Sequence, residues 1–260
     1  MSRQLRIISA LLLLVSQFAF SQGKTYAVVV GISDYKAMTY RTGDLRFADQ
    51  DARQVAAFLK SKKGGNVPSS HIRLLTNAQA SRAAIVQAMN IFANAQSADR
   101  ILLYFSGHGL ATCFIPYDVT PGQSASVLTH QTIKAAFRRS KAHTRLCIAD
   151  ACLSGGMTRR NSSQSMQSMA GTFTAGTNVA LLLAGRATQF AIEDRRLKGG
   201  MFTHFLLQGL GGLADRDANR IVTIRELHTY VSSHVRSATK GRQSPVFYGK
   251  FPDTLALTYL

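Results

Sequence analysis

Thr144-Arg-Leu-Cys-Ile-Ala-Asp-Ala-Cys-Leu-Ser-Gly-Gly156 is the stretch from which the fold is read. Leu146 to Ala149 is an apolar run of the kind a buried strand needs. It ends at an acid, a cysteine and three small residues, the composition of a strand leaving the core for an open loop. A thiol at that point, Cys152, is expected to be presented rather than packed. The pattern recurs upstream, where the apolar run Asp99 to Phe105 ends in Ser106-Gly107-His108-Gly109. Two buried strands that each deliver one reactive side chain to the same sheet edge bring a thiol and an imidazole within reach of each other. Cys152 and His108 are therefore the candidate catalytic dyad.

Working outward, strand and helix patterns alternate. Thr25 to Ile32 is a β-branched apolar run suited to a central parallel strand. From Asp44, a candidate N-cap, apolar residues recur at three- and four-residue spacing to about Ser61, which predicts an amphipathic helix. His71 to Thr76 reads as a strand, Ser81 to about Ala95 as a helix, Cys113 to Tyr117 as a short strand, and Thr129 to Ser140 as a helix. After the opening stretch, Val179 to Ala184 is a strand. Gly200 to Leu210 and Thr223 to about Val235 are helices, and Thr254 to Thr258 adds a last strand. The alternation predicts an α/β fold, a mainly parallel β-sheet with helices on both faces, whose site lies beyond the carboxyl ends of the strands.

The chain has 260 residues, and no Pro-rich or charged linker divides its core-forming segments, so one domain over 22–260 is expected. Residues 158–178 are rich in Ser, Thr, Gly, Gln and Met without periodicity and read as a flexible insert between a larger part, 22–157, and a smaller one, 179–260. Arg3 and Arg6, the apolar run Ile7 to Phe20 and Ala19-Phe20-Ser21 form a signal peptide over 1–21. Cleavage after Ser21 then predicts an exported protein, periplasmic or secreted, with no stable membrane insertion. Export permits disulfides, but three cysteines leave at least one thiol free. Cys147 is expected to be inert inside its strand, and Cys113 either stays free or pairs with it. Lys and Arg number 31 against 13 acids, a formal charge of +18. The excess is dispersed, with no basic stripe interleaved with aromatics, so no specific nucleic-acid partner is expected.

The residues resemble a known family. Tyr26-Ala-Val-Val-Val-Gly-Ile32, Leu45 through Asp51-Ala52, Tyr104-Phe-Ser-Gly-His-Gly109, Pro116-Tyr-Asp118 and Asp150-Ala-Cys-Leu-Ser-Gly155 are similar to the caspase-like cysteine peptidases, closest to the bacterial metacaspase-like branch. The resemblance implies a thiol endopeptidase acting on a protein or peptide substrate, working as a monomer. Two residues before the nucleophile, where caspases carry glutamine, stands Asp150. An anion there would draw an Arg or Lys side chain into the P1 pocket. Resemblance to metacaspases adds Asp51 and Ser106 to that pocket, and Asp118 is a further acid expected near the site, in a site or a structural role. Backbone N–H groups of Gly109 and Cys152 would hold the oxyanion. Leu153 departs from the family, where many members have histidine. Arg159-Arg160, at the start of the insert, would suit self-cleavage by such an enzyme. The alternative expectation is a catalytically inactive scaffold of the same fold that acts through partner contacts.

Asp215, Asp217, Asn219, Ile221, Thr223 and Glu226 carry the spacing of a calcium loop, but Arg220 replaces the glycine at its sixth position, where it is expected to block the turn. The segment is read as a turn before a helix that Glu226 helps to begin. No metal or organic cofactor is expected, calcium being the one ion that the spacing admits.

Overall fold

The computed structural model describes residues 23–39, 41–110, 112–152, 179–186, 189–249 and 251–260, with Cys152 placed by its backbone. The expected signal peptide, Leu153, Arg159-Arg160 and the insert lie outside the described residues. Among the described residues, no helix is long and apolar enough to cross a membrane.

The sheet is built on β1 (Thr25–Gly31), β2 (Ile72–Thr76), β3 (Arg100–Leu110), β6 (Thr144–Cys152), β7 (Val179–Leu183) and β11 (Val246–Tyr248), in the spatial order β2-β1-β3-β6-β7-β11. All neighbours run parallel except β11, which pairs antiparallel with β7. The expectation of a mainly parallel sheet with helices on both faces is thus met. Ala27 to Val30 are wholly buried, as a strand covered on both sides must be.

On one face pack α2 (Arg82–Ala88) and α3 (His130–Arg138), through Ile85, Ile133, Ala136 and Phe137. On the other lie α1 (Ala48–Lys60), α4 (Met201–Gln208) and α5 (Ile224–Ala238). Ile224, Leu227, Val231 and Val235 recur at three- and four-residue spacing and form the buried face of α5, each worth ~1.5–3 kcal/mol when removed from water. Short pairs complete the fold: β4 (Cys113–Phe114) with β5 (Leu128–Thr129), β8 (Glu193–Asp194) with β9 (Gly199–Gly200), and β10 (Ile221–Thr223) with β12 (Ala256–Tyr259).

Several expected boundaries move, and the differences bear on the site. β3 continues five residues past Phe105, so His108 sits in a strand rather than in the loop after one. The cause is pairing on both sides. β6 follows β3 through Gly107↔Ala151 and His108↔Cys152, and β4 folds back on Gly109 and Leu110. The first helix begins at Ala48, and Asp44 does not cap it. The Asp44 carboxylate instead accepts from Tyr35 N at 3.0 Å. The second helix changes to a 3-10 turn at Met89. Cys113 and Cys147 are both free and buried, so they are not a disulfide. Burial pushes the Cys147 thiol up to about 12, which removes its thiolate chemistry.

Candidate active site

The register of the sheet sets the site in rows. Gly31 on β1 lies beside Ser106 on β3, which lies beside Asp150 on β6; two residues on, His108 stands opposite Cys152. Because side chains alternate along a strand, His108 points the same way as Ser106. Helix α1 reaches the first row because Gly31 has no side chain. A Cβ there would lie 2.3 Å from Ala48 O and 2.5 Å from Ala52 Cβ. That close approach brings the buried Asp51 onto Ser106, whose hydroxyl donates to Asp51 Oδ2 at 3.4 Å.

Gly200 stands between the two aspartates. Its N–H donates to Asp51 Oδ1 and Oδ2 at 3.1 and 3.0 Å, and a Cβ on it would lie 2.3 Å from Asp150 Oδ2. Any other residue would force the acids apart. Asp150 Oδ2 in turn accepts from Thr203 N at 3.2 Å and from Thr203 Oγ1 at 2.7 Å, so it satisfies the start of α4, which has no side-chain cap of its own. The Tyr104 hydroxyl, 2.5 Å from Thr203 Oγ1, completes the buried chain. Asp150 Oδ1 is buried with no hydrogen-bond partner among the described residues. It is an acceptor held open.

Both carboxyls are pushed above the usual carboxylate range. For Asp51 the main cause is burial, followed by the charge of Asp150. For Asp150 it is burial, opposed by the Thr203 hydrogen bonds and reinforced by Glu193. Two buried acids so close resist carrying two negative charges unless a cation lies between them.

His108 is held from two sides. Its backbone N–H donates to the Tyr35 hydroxyl at 2.7 Å, and the two rings lie 5.1 Å apart. Its Nε2 pairs with the Gly43 carbonyl. A carbonyl only accepts, so Nε2 of the neutral ring carries the proton and Nδ1 keeps the lone pair of a base.

His108, Gly109, Ser106, Asp51, Asp150 and Gly200 line one cavity of about 540 Å³. Glu193 lines it as well, and sequence reasoning missed it. Its carboxylate accepts from Arg46 N at 3.1 and 3.0 Å and from Phe47 N at 2.9 Å. No local signal marks it in the sequence, because its partners lie 147 and 146 positions away along the chain. Asp118 takes a structural part. It accepts from Arg82 N at 2.7 Å and thereby holds the start of α2. Although the protein carries a formal charge of +18, no Lys or Arg lines this cavity among the described residues.

Away from the site, the carboxylates of Asp215, Asp217 and Glu226 come within 4.8 Å of one another. Arg220 does not block the turn as expected. Its backbone adopts φ 68°, and its N–H donates to Asp215 Oδ2 at 3.0 Å. Glu226 does begin the helix, in a capping box with Thr223.

Comparison with known proteins bears on this geometry. The family model of the caspase domain matches residues 24–255. A search of the curated proteins found no match.

Proposed function

The chain belongs to the caspase domain family and is a cysteine-type peptidase, and from that premise we propose that it is an exported endopeptidase that cuts after Arg or Lys through His108 and Cys152. The observation that carries the specificity is the charge of the cavity: three carboxylates, Asp51, Asp150 and Glu193, with no Lys or Arg among its described lining. A P1 guanidinium or ammonium would meet the open Asp150 Oδ1 and offset the burial, and the neighbouring negative charge, that hold both aspartates above their usual range. Ser106 and Asp51 complete that subsite.

In the reaction, His108 Nδ1 takes the proton of the Cys152 thiol, and the thiolate attacks the carbonyl carbon of the P1 residue. The Gly109 and Cys152 amides hold the oxyanion. His108 returns the proton to the departing amine, and water then cleaves the thioester to free the acid and restore the thiol. No organic cofactor takes part. The same specificity would let the enzyme process itself after Arg159 or Arg160.

The test is a panel of fluorogenic peptides with Arg, Lys or Asp at P1, run on the native protein and on Cys152→Ala, with and without calcium. Cleavage after Arg and Lys, lost in the variant, is expected; the same variant should remain unclipped at Arg159-Arg160. Cleavage only after Asp would refute the reading of the acid pocket. A native protein that cuts none of the peptides under any condition would point to the inactive scaffold instead.

A further inference from the structure

A second cavity, of about 820 Å³, opens at the opposite edge of the sheet. Thr25, Arg100 and Thr144 line it where β1, β3 and β6 begin, and Lys24, Lys62, Lys63 and residues of β12 line it further. Because the three strands run parallel, the dyad stands at their other end, eight positions along β3 from Arg100 and about 26 Å away at the rise of a parallel strand. The two cavities carry opposite charge. Acids and no Lys or Arg line the catalytic one, whereas Lys24, Lys62, Lys63 and Arg100 line this one without an Asp or Glu among the described residues. Asp99, beside Arg100, is buried and accepts from the backbone N–H groups of Lys24 and Gln96 at 2.7 and 2.8 Å.

None of the four cations is ion-paired among the described residues. Lys63 Nζ donates to Gly211 O, and Arg100 Nη1 and Nη2 donate to Leu257 O and Ala256 O, each at 2.7 Å. Carbonyls satisfy these donors and leave their charge uncompensated. Burial pushes the Arg100 guanidinium below its ordinary range, and a nearby anion would offset that effect. A cleft lined by one sign of charge also focuses the field on whatever enters it. The space has the size of a small-molecule site, so its ligand enters a cavity instead of lying on a flat face. Lysines gathered as point charges suit phosphate, whose oxygens accept several hydrogen bonds at once.

We infer that this cavity is a binding site for a small molecule bearing two or more phosphate groups, which would tie the starts of β1 and β3 to the segment after α1. The site is independent of the basic-P1 reading, and its test needs no peptide hydrolysis. Inorganic triphosphate is added to the native protein at low salt while thermal unfolding is followed. A ligand of the folded state alone raises the melting temperature by about 5–10 °C at a hundredfold excess over Kd, and isothermal titration should show a single site. Lys24→Glu combined with Lys62→Glu should lose most of that shift. Arg236→Glu combined with Lys240→Glu changes the net charge equally at exposed positions outside the cavity and should keep it. If charge reversal impairs folding, Lys24→Gln with Lys62→Gln makes the same comparison. No shift in the native protein, or an equal shift in both double variants, would overturn the site, the latter because any anion is drawn to a chain of charge +18. Hexaglutamate acting as strongly as triphosphate would replace phosphate by an acidic peptide. Sedimentation with phosphatidylglycerol vesicles that depends on Lys24 and Lys62, without a triphosphate shift, would replace the small molecule by a lipid surface.

Discussion

Tyr35 touches the base at two points, with its hydroxyl on the His108 backbone N–H and its ring against the imidazole, and it is almost wholly buried. It is a positioning residue. It acts with the Gly43 carbonyl, which fixes the proton on Nε2, and with Asp44, which accepts from Tyr35 N and so ties the same loop together. Tyr35→Phe leaves the ring in place but deprives a partly buried N–H of its acceptor, a loss of about 1–3 kcal/mol. If Tyr35 aims the imidazole, kcat should fall roughly ten- to a hundredfold with KM nearly unchanged, and alkylation of Cys152 by iodoacetamide at neutral pH should slow in parallel. A lowered melting temperature with native kcat would make the contact merely structural. Cys152, His108 and Asp150 could be singled out from sequence, because each sits in a short motif whose chemistry can be read locally, whereas Asp51 and Ser106 are implied only by the resemblance to metacaspases. Tyr35, Gly43 and Glu193 are marked by neither. They act across 73, 65 and 147 positions of chain respectively, and only the closed fold brings them to their partners.

Helices α1 and α4 both start without a side-chain cap of their own. Their first turns are satisfied from elsewhere. Ser33 Oγ accepts from Asp49 N at 3.0 Å and Glu193 from Arg46 and Phe47, while Asp150 serves Thr203. The acids of the cavity thus also position the helices that wall it, which explains why sequence placed the start of α1 too early. Asp44 has the right residue type for a cap, but the satisfying groups are distant. The long apolar and amphipathic segments, β1, β3, β6, α1 and α5, were legible because burial imposes their periodicity. The two-residue strands β8 and β9 were not, since two residues define no period. Glu193→Ala removes a shared acceptor ahead of α1 and a charge from the cavity. It should lower stability by about 1 kcal/mol and raise KM for Arg peptides. Glu193→Gln keeps acceptor oxygen and removes the charge, so its melting temperature should stay near native while the KM increase persists. Thermal melts and peptide kinetics on both variants separate the two roles. Native KM in both would remove Glu193 from substrate binding.

At the scale of the whole molecule, one parallel sheet faces two requirements at its carboxyl edge: its strand ends must be packed, and they must hold charge out of water. Asp51 and Asp150 meet the second at a cost to stability, and pH dependence shows the sign. Burial raises the Asp51 carboxyl in the folded protein, to about 8, whereas the unfolded chain titrates it near ~4. Between these values the folded state binds more protons than the unfolded one, so stability falls as pH rises through that window and is recovered below it. Asp51→Asn keeps an oxygen for the Gly200 N–H and an amide group beside Ser106, and it removes the charge. The variant should therefore melt higher than the native protein at pH 8, by about 2–4 °C for each kcal/mol relieved, with the difference vanishing below pH 4. Activity moves the other way, because the same charge would hold the P1 cation: kcat/KM for Arg peptides should drop at least tenfold. Melting curves from pH 4 to 9 together with Arg-peptide kinetics test both halves. A variant that is less stable than native at pH 8, yet equally active, would mean that Asp51 is a structural acid whose ionisation the fold favours.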